Sequence, residues 1–185
     1  MPRAARFLAL TLVLAACSSE GPSRFAVTVP PTEARIPVSV GALEVREAQL
    51  PLYADLEEIF IQTEAGALVS DTDILWADQP RRSVTQGIVL ALNDLTRARV
   101  AAEPWPFSDI PDARLEVRFD RLLAQNDGRY RVSGQFFVTG TTDDRSGIGR
   151  FDIAVPYAAP TPIAVADAQG RALAILAAQI AREAL

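Results

Sequence analysis

From Arg114 to Val138 apolar and polar residues alternate along the chain. Leu115, Val117 and Phe119 fall on one side of an extended strand, and Arg114, Glu116, Arg118 and Asp120 fall on the other. A period of two is the pattern of a strand with one face in a core and the other in water. Gln125-Asn126-Asp127-Gly128 supplies turn chemistry, and Tyr130, Val132, Phe136 and Val138 line a returning strand, so residues 113–139 read as a hairpin. In that hairpin Arg129 and Arg131 can lie opposite the acidic residues of the first strand, and the charges read as cross-strand pairs.

Two stretches change to a helical period. Val84, Ile88, Ala91, Leu92 and Leu95 make one apolar stripe, which predicts a helix over 80–95 with its stripe on a sheet. Pro80 suits a first turn, and Ser70-Asp71-Thr72-Asp73 with Asp78 offers N-cap residue types ahead of it. Gly87, inside this helix, marks a close approach to a strand. A second helix is predicted over 163–185, with Leu173, Leu176, Ile180 and Ala184 as its stripe. Shorter extended pieces are expected at 25–29, 36–45, 58–62, 67–69, 97–101 and 150–157, with a turn at Leu50-Pro51-Leu52-Tyr53 and a polar turn over 140–149. The glycines of Ser146-Gly147-Ile148-Gly149 precede no helix, which argues against a phosphate-cradling loop. Pro104-Trp105-Pro106-Phe107 opens a proline-spaced loop whose rings either cover the core edge or are offered to a partner. Strands with one helix in the middle and one at the end predict an α+β fold, a mainly antiparallel or mixed sheet with two helices packed on one face.

The start of the chain has another character. Arg3 and Arg6 precede an apolar run from Phe7 that ends in Leu14-Ala15-Ala16-Cys17. A basic start and a short apolar run ending in small residues make a secretory signal, too short to stay as a membrane span. Leu-Ala-Ala before the only cysteine resembles the lipobox of bacterial lipoproteins. That resemblance implies cleavage before Cys17, a diacylglyceryl group on its thiol and acylation of the new amino terminus. One acyl chain holds a protein only marginally, at about 0.8 kcal/mol per buried methylene, whereas several hold it close to permanently. The expected organisation is a signal peptide over 1–16, an acylated tether over 17–23 and a single periplasmic domain over 24–185. Ser18, where an Asp would favour retention at the inner membrane, implies the periplasmic face of the outer membrane.

Composition narrows the chemistry. The chain has no His, and all 18 of its basic residues are Arg, against 23 acidic residues and a net charge of −5. Loss of Arg3 and Arg6 with the signal takes that to −7, which disfavours nucleic acid and electrostatic docking on anionic lipid. Without His, Lys or a second Cys there is no catalytic triad, Schiff-base lysine, histidine zinc site or disulfide. No metal and no cofactor is expected, apart from the covalent lipid. Carboxylate-pair chemistry passes this filter, with Asp71 and Asp73, Glu57 and Glu58, or Asp143 and Asp144 as candidates. Each pair has a plainer explanation, as a helix start, a solvated strand edge and a polar turn. No catalytic residue is assigned, and the chain reads as a non-enzyme.

Leu50-Pro51-Leu52-Tyr53, the apolar Ile59-Phe60-Ile61, and Trp76-Ala77-Asp78-Gln79-Pro80 opening a helix, all behind a lipobox, resemble the PqiC-type ABC-transport auxiliary lipoproteins. Asp78 stands where that family has Glu, one extra residue precedes Pro80, and the Arg that usually follows the Tyr turn is missing. The resemblance implies a non-catalytic subunit of a phospholipid transport system between the two membranes. Its implied partners are a periplasmic MCE-domain protein and inner-membrane transporter components, and it leaves a homo-oligomer open. The alternative is a structural or assembly lipoprotein of another outer-membrane complex. Three residues are the expected partner contacts: Trp76, Trp105 and Phe107.

Overall fold

A computed structural model describes residues 21–142 and 146–185. Cys17, the signal and most of the tether lie outside the described residues, as do Asp143 and Asp144. Nine strands and two helices run in the order β1 (Ser23–Phe25), β2 (Ala42–Val45), β3 (Ile61–Gln62), β4 (Leu68–Val69), β5 (Ile74–Trp76), α1 (Pro80–Leu95), β6 (Arg99–Ala102), β7 (Ala113–Gln125), β8 (Arg129–Gly140), β9 (Ser146–Pro156) and α2 (Pro162–Ala184) among the described residues.

The long strand β7 is the spine of a mixed sheet. Antiparallel β8 pairs along its length, and β9 pairs antiparallel with β8 beyond it. The other edge of β7 is shared by two short parallel strands. β2 pairs with its start, Leu43 opposite Ala113, and β3 pairs with its end, Ile61 opposite Ala124. β6 extends the sheet beyond β2, and β4 extends it beyond β3. β1 and β5 form a separate two-stranded parallel sheet. The fold is thus α+β with a mixed sheet, and α1 and α2 pack on each other and on its core face, α1 against β6 and α2 against β8 and β9.

Alternation explains which face the helices cover. Ala113, Leu115, Val117 and Phe119 of β7, with Tyr130, Val132, Phe136 and Val138 of β8, are all buried. The same face receives the α1 stripe Val84, Ile88, Leu92 and Leu95, and Leu173, Leu176 and Ile180 of α2. Space on this face is tight. A Cβ on Gly149 would come within 2.1 Å of the Phe136 ring, and one on Gly134 within 2.1 Å of the Arg118 carbonyl, so a ring in one case and the neighbouring backbone in the other occupy what a side chain would have filled. α2 is long and apolar enough to cross a membrane, yet one face of it, with Val165, Leu173, Leu176 and Ile180, lies in this core, which accounts for most of that composition, while Ile163 and Ile175 stay exposed.

Several expectations are corrected in detail. The strand over 25–29 is a ladder only at Ser23–Phe25, after which Phe25, Val27 and Val29 keep their alternation as an unpaired strap packed on the core. Likewise 36–45 forms a ladder only at its end, and 58–62 only at Ile61–Gln62. Ser70-Asp71-Thr72-Asp73 does not cap α1, because β5 intervenes and the N-cap is Gln79, without a side-chain cap. Asp71 instead accepts the Asp73 amide at 2.9 Å, a local turn. Gly87 approaches α2 and the strap rather than a strand: a Cβ there would lie 2.7 Å from Leu173 Cδ1 and 3.3 Å from Val29 Cγ2. The last strand starts at Ser146 instead of Arg150. Arg129 and Arg131 face Gln125 and Leu123, and Arg131 pairs with Asp127 within the turn at 3.6 Å. A register shift between Phe119 and Arg121 accompanies this, so the expected cross-strand charge ladder is absent between these strands.

Candidate docking site

The loop after β6 is built on a buried glutamate. Glu44 in β2 is 8 % exposed, and it reaches across the sheet to Arg114 of β7, Nε to Oε2 at 2.7 Å. Its other oxygen accepts the Trp105 backbone amide at 3.1 Å. A carboxylate so placed needs both partners, because burial removes its water. The chain enters the loop through a cis Glu103–Pro104 peptide, and Glu103 in turn accepts the Glu47 amide at 2.8 Å. The loop is therefore held to the sheet from two sides.

On that base sits an aromatic and cationic cluster. The Trp105 and Phe107 rings meet edge to face with centroids 5.0 Å apart. The Arg99 guanidinium lies over both, 5.5 Å from the Trp105 centroid and 4.4 Å from that of Phe107, where the ring quadrupoles attract a cation. Asp109 ion-pairs with Arg99, and this hydrogen bond and charge hold its carboxyl below the ordinary aspartate value. Trp105 is half-buried, while Phe107 is 44 % exposed and Ile110 64 %. The two readings of the loop are thus both partly realised, since Trp105 is half-buried against Glu44 of β2 and Arg99 of β6 and Phe107 is offered to solvent.

Trp76 lies elsewhere. It is buried in β5, with its amide donating to the Glu57 carbonyl at 2.7 Å and its carbonyl accepting from Arg24 at 3.0 Å. Its ring lines a cavity of about 20 Å3 together with Tyr53, Pro80, Tyr130 and Gln169, room for about one water. The Tyr130 hydroxyl donates to Gln169 Oε1 at 2.7 Å, tying β8 to α2. Burial, and less so the neighbouring Tyr53, pushes the Tyr130 phenol well above its ordinary value. Tyr53 accepts the Leu122 amide at 3.3 Å. The short motifs around Tyr53 and Trp76, far apart in sequence, therefore converge on one cavity wall. Sequence patterning does not reveal this, because the strands that bring them together are two or three residues long.

The carboxylates weighed for catalysis are dispersed. Glu57 pairs with Arg24 at 3.0 Å and Asp71 closes a turn. No group of three potential metal ligands is found among the described residues. The cluster missed by sequence reading is Glu44, Arg99 and Asp109: only Asp109 stands near the rings in the chain, and Glu44 and Arg99 come to the loop through the fold.

Solved structures share this architecture. One, described as an uncharacterized protein, superposes with a TM-score of 0.70 over 86 % of this chain and 97 % of its own, at 19 % identity. Protein XCC0632 from Xanthomonas campestris gives 0.61 over 86 % and 90 %, at 18 % identity. At such identities the likeness is one of fold. No curated protein matches the sequence. A family model does, over residues 25–181, nearly the whole described domain, and the chain belongs to the family of ABC-type transport auxiliary lipoprotein components.

Proposed function

We propose that the protein is a non-catalytic, lipid-anchored docking subunit of an MCE-type phospholipid transport system, held by Cys17 at the periplasmic face of the outer membrane and supporting envelope integrity. Membership in the auxiliary lipoprotein family supports the transport role. The observation that carries the docking role is the Arg99, Trp105 and Phe107 cluster, which places two aromatic rings and an Arg side by side at the surface on a rigid base. Aromatic and Arg side chains dominate binding energy at protein interfaces, and a pre-ordered loop lowers the entropy lost on docking. The buried Trp76 acts one step back, by holding the β1 and β5 layer in shape. Its net negative charge steers the domain away from anionic lipid and toward a protein surface.

The test is affinity capture from detergent-solubilised envelopes with the full-length lipoprotein as bait. Recovery of an MCE-domain protein with inner-membrane transporter subunits is the expected result. Recovery of only a barrel protein or peptidoglycan would replace this reading by that of an assembly lipoprotein.

A further inference from the structure

Beside the start of β1 the surface opens into an apolar groove of about 240 Å3, lined by Ile59, Ile61, Val69, Ile74, Pro160 and Pro162, with Ser70 and Asp71 as its polar members. Val69 is 49 % exposed, and Ile163, at the first turn of α2 next to Pro162, is 69 % exposed. The groove is smaller than the roughly 300–1,000 Å3 of sites that enclose a compact small molecule. Its walls suit a slender apolar body, and Asp71 disfavours an anionic head group entering with it.

Where the chain leaves the domain decides the occupant. Ser23 donates its amide to the Asp73 carbonyl at 2.8 Å and is paired in register with Ile74, itself a wall of the groove. Cys17 stands six residues before Ser23, a span of at most about 21 Å when fully extended. A lipid on Cys17 is thus leashed to the groove. We propose that the groove seats part of one acyl chain of that lipid, an inference that rests on the lipoprotein reading of Cys17.

The fold then sets an orientation. The groove residue Ile61 pairs with Ala124 near the end of β7, whereas Glu44, beneath the aromatic loop, binds Arg114 at its start. Ten residues of strand separate the two, about 33 Å at the usual rise. Seating the chain turns the groove end toward the membrane and carries Arg99, Trp105 and Phe107 to the far end, where a partner spanning the periplasm is met.

The test uses the full-length protein produced in cells fed a palmitate analogue bearing a photoreactive diazirine. After irradiation and proteolysis, mass spectrometry is expected to find the chain linked to Cys17 cross-linked within the same molecule to peptides containing Ile59 to Ile61 or Val69 to Ile74. Val69→Asp, at the exposed wall of the groove, should lose most of that cross-link while keeping the label on Cys17 and the wild-type circular dichroism melt. Label on Cys17 with cross-links only to phospholipid, or to other parts of the domain, would overturn the groove proposal and leave the lipoprotein reading standing. So would efficient groove cross-linking by a photoreactive phosphatidylethanolamine and none by the Cys17 chain. Absence of label on Cys17 would overturn both.

Discussion

Glu44 joins sheet and docking loop through two hydrogen bonds from one buried carboxylate, to Arg114 Nε and to the Trp105 amide. Glu44→Ala leaves that amide without its acceptor and is expected to lower stability by about 1–3 kcal/mol, read from chemical denaturation, with Glu44→Gln closer to wild type because it keeps an acceptor. Tyr130 sets a limit at the alkaline end. Its folded-state pKa lies well above the ordinary tyrosine value because the phenol is buried, so the folded state holds the proton more tightly than the unfolded chain. Its contribution is complete below about pH 10, the unfolded value, and is lost as pH rises above that toward the folded value. Ultraviolet titration is expected to show phenolate from Tyr130 appearing together with unfolding, and Tyr130→Phe should remove that part of the alkaline loss. Ionisation of Tyr130 in a domain with native circular dichroism would contradict its burial against Gln169.

At the scale of elements, the two helices hold the N-terminal strap through glycines. A Cβ on Gly170 of α2 would come within 2.0 Å of the Thr28 carbonyl, which is backbone, while one on Gly87 of α1 would press at 2.7 Å on the end of the Leu173 side chain. Alanine favours a helix interior over glycine by about 1 kcal/mol at either place, so the clash decides the sign. Gly170→Ala is expected to cost about 1–3 kcal/mol and to expose the strap around Thr28 to protease, whereas Gly87→Ala should stay within about 1 kcal/mol of wild type because Leu173 can shift. Equal melts for the two variants would contradict the strap's seat on Gly170. How far the sequence discloses such features depends on how local they are. α1 is legible to its bounds, Pro80–Leu95, because the stripe and the proline at its start are contained within it. The β7 and β8 hairpin is legible because its alternation and its turn, with Gly128 at φ +75°, are adjacent in the chain. The pairing of β1 with β5 and of β2 with both β6 and β7 joins segments of three or four residues across long separations. Such parallel pairings leave no periodic trace, so the strap, the cavity at Trp76 and the Glu44 support under Trp105 were not legible. The aromatic loop itself was, since proline spacing and two rings stand together in the sequence, though its partners Arg99 and Asp109 emerge only from the fold.

In the proposed arrangement, an anchor at one end of the molecule is joined to a docking loop at the other through the length of β7. Cys17→Ser is expected to accumulate as an unprocessed precursor without palmitate label, and to leave the outer-membrane fraction on a high-salt wash. Retention after that wash would show that something besides the lipid holds the protein there. In that arrangement the loop, and not the general surface, engages the transporter partner. The most direct test is the affinity of the partner captured from the envelope for the wild-type protein and for the Trp105→Ala/Phe107→Ala double variant, measured beside their thermal melts. The expected result is binding weakened by more than about tenfold, roughly 1.4 kcal/mol, with native circular dichroism kept and only a modest fall in the melt from loss of the half-buried Trp105 ring. Unchanged affinity with a large fall in melting temperature would assign both rings to the core and contradict it.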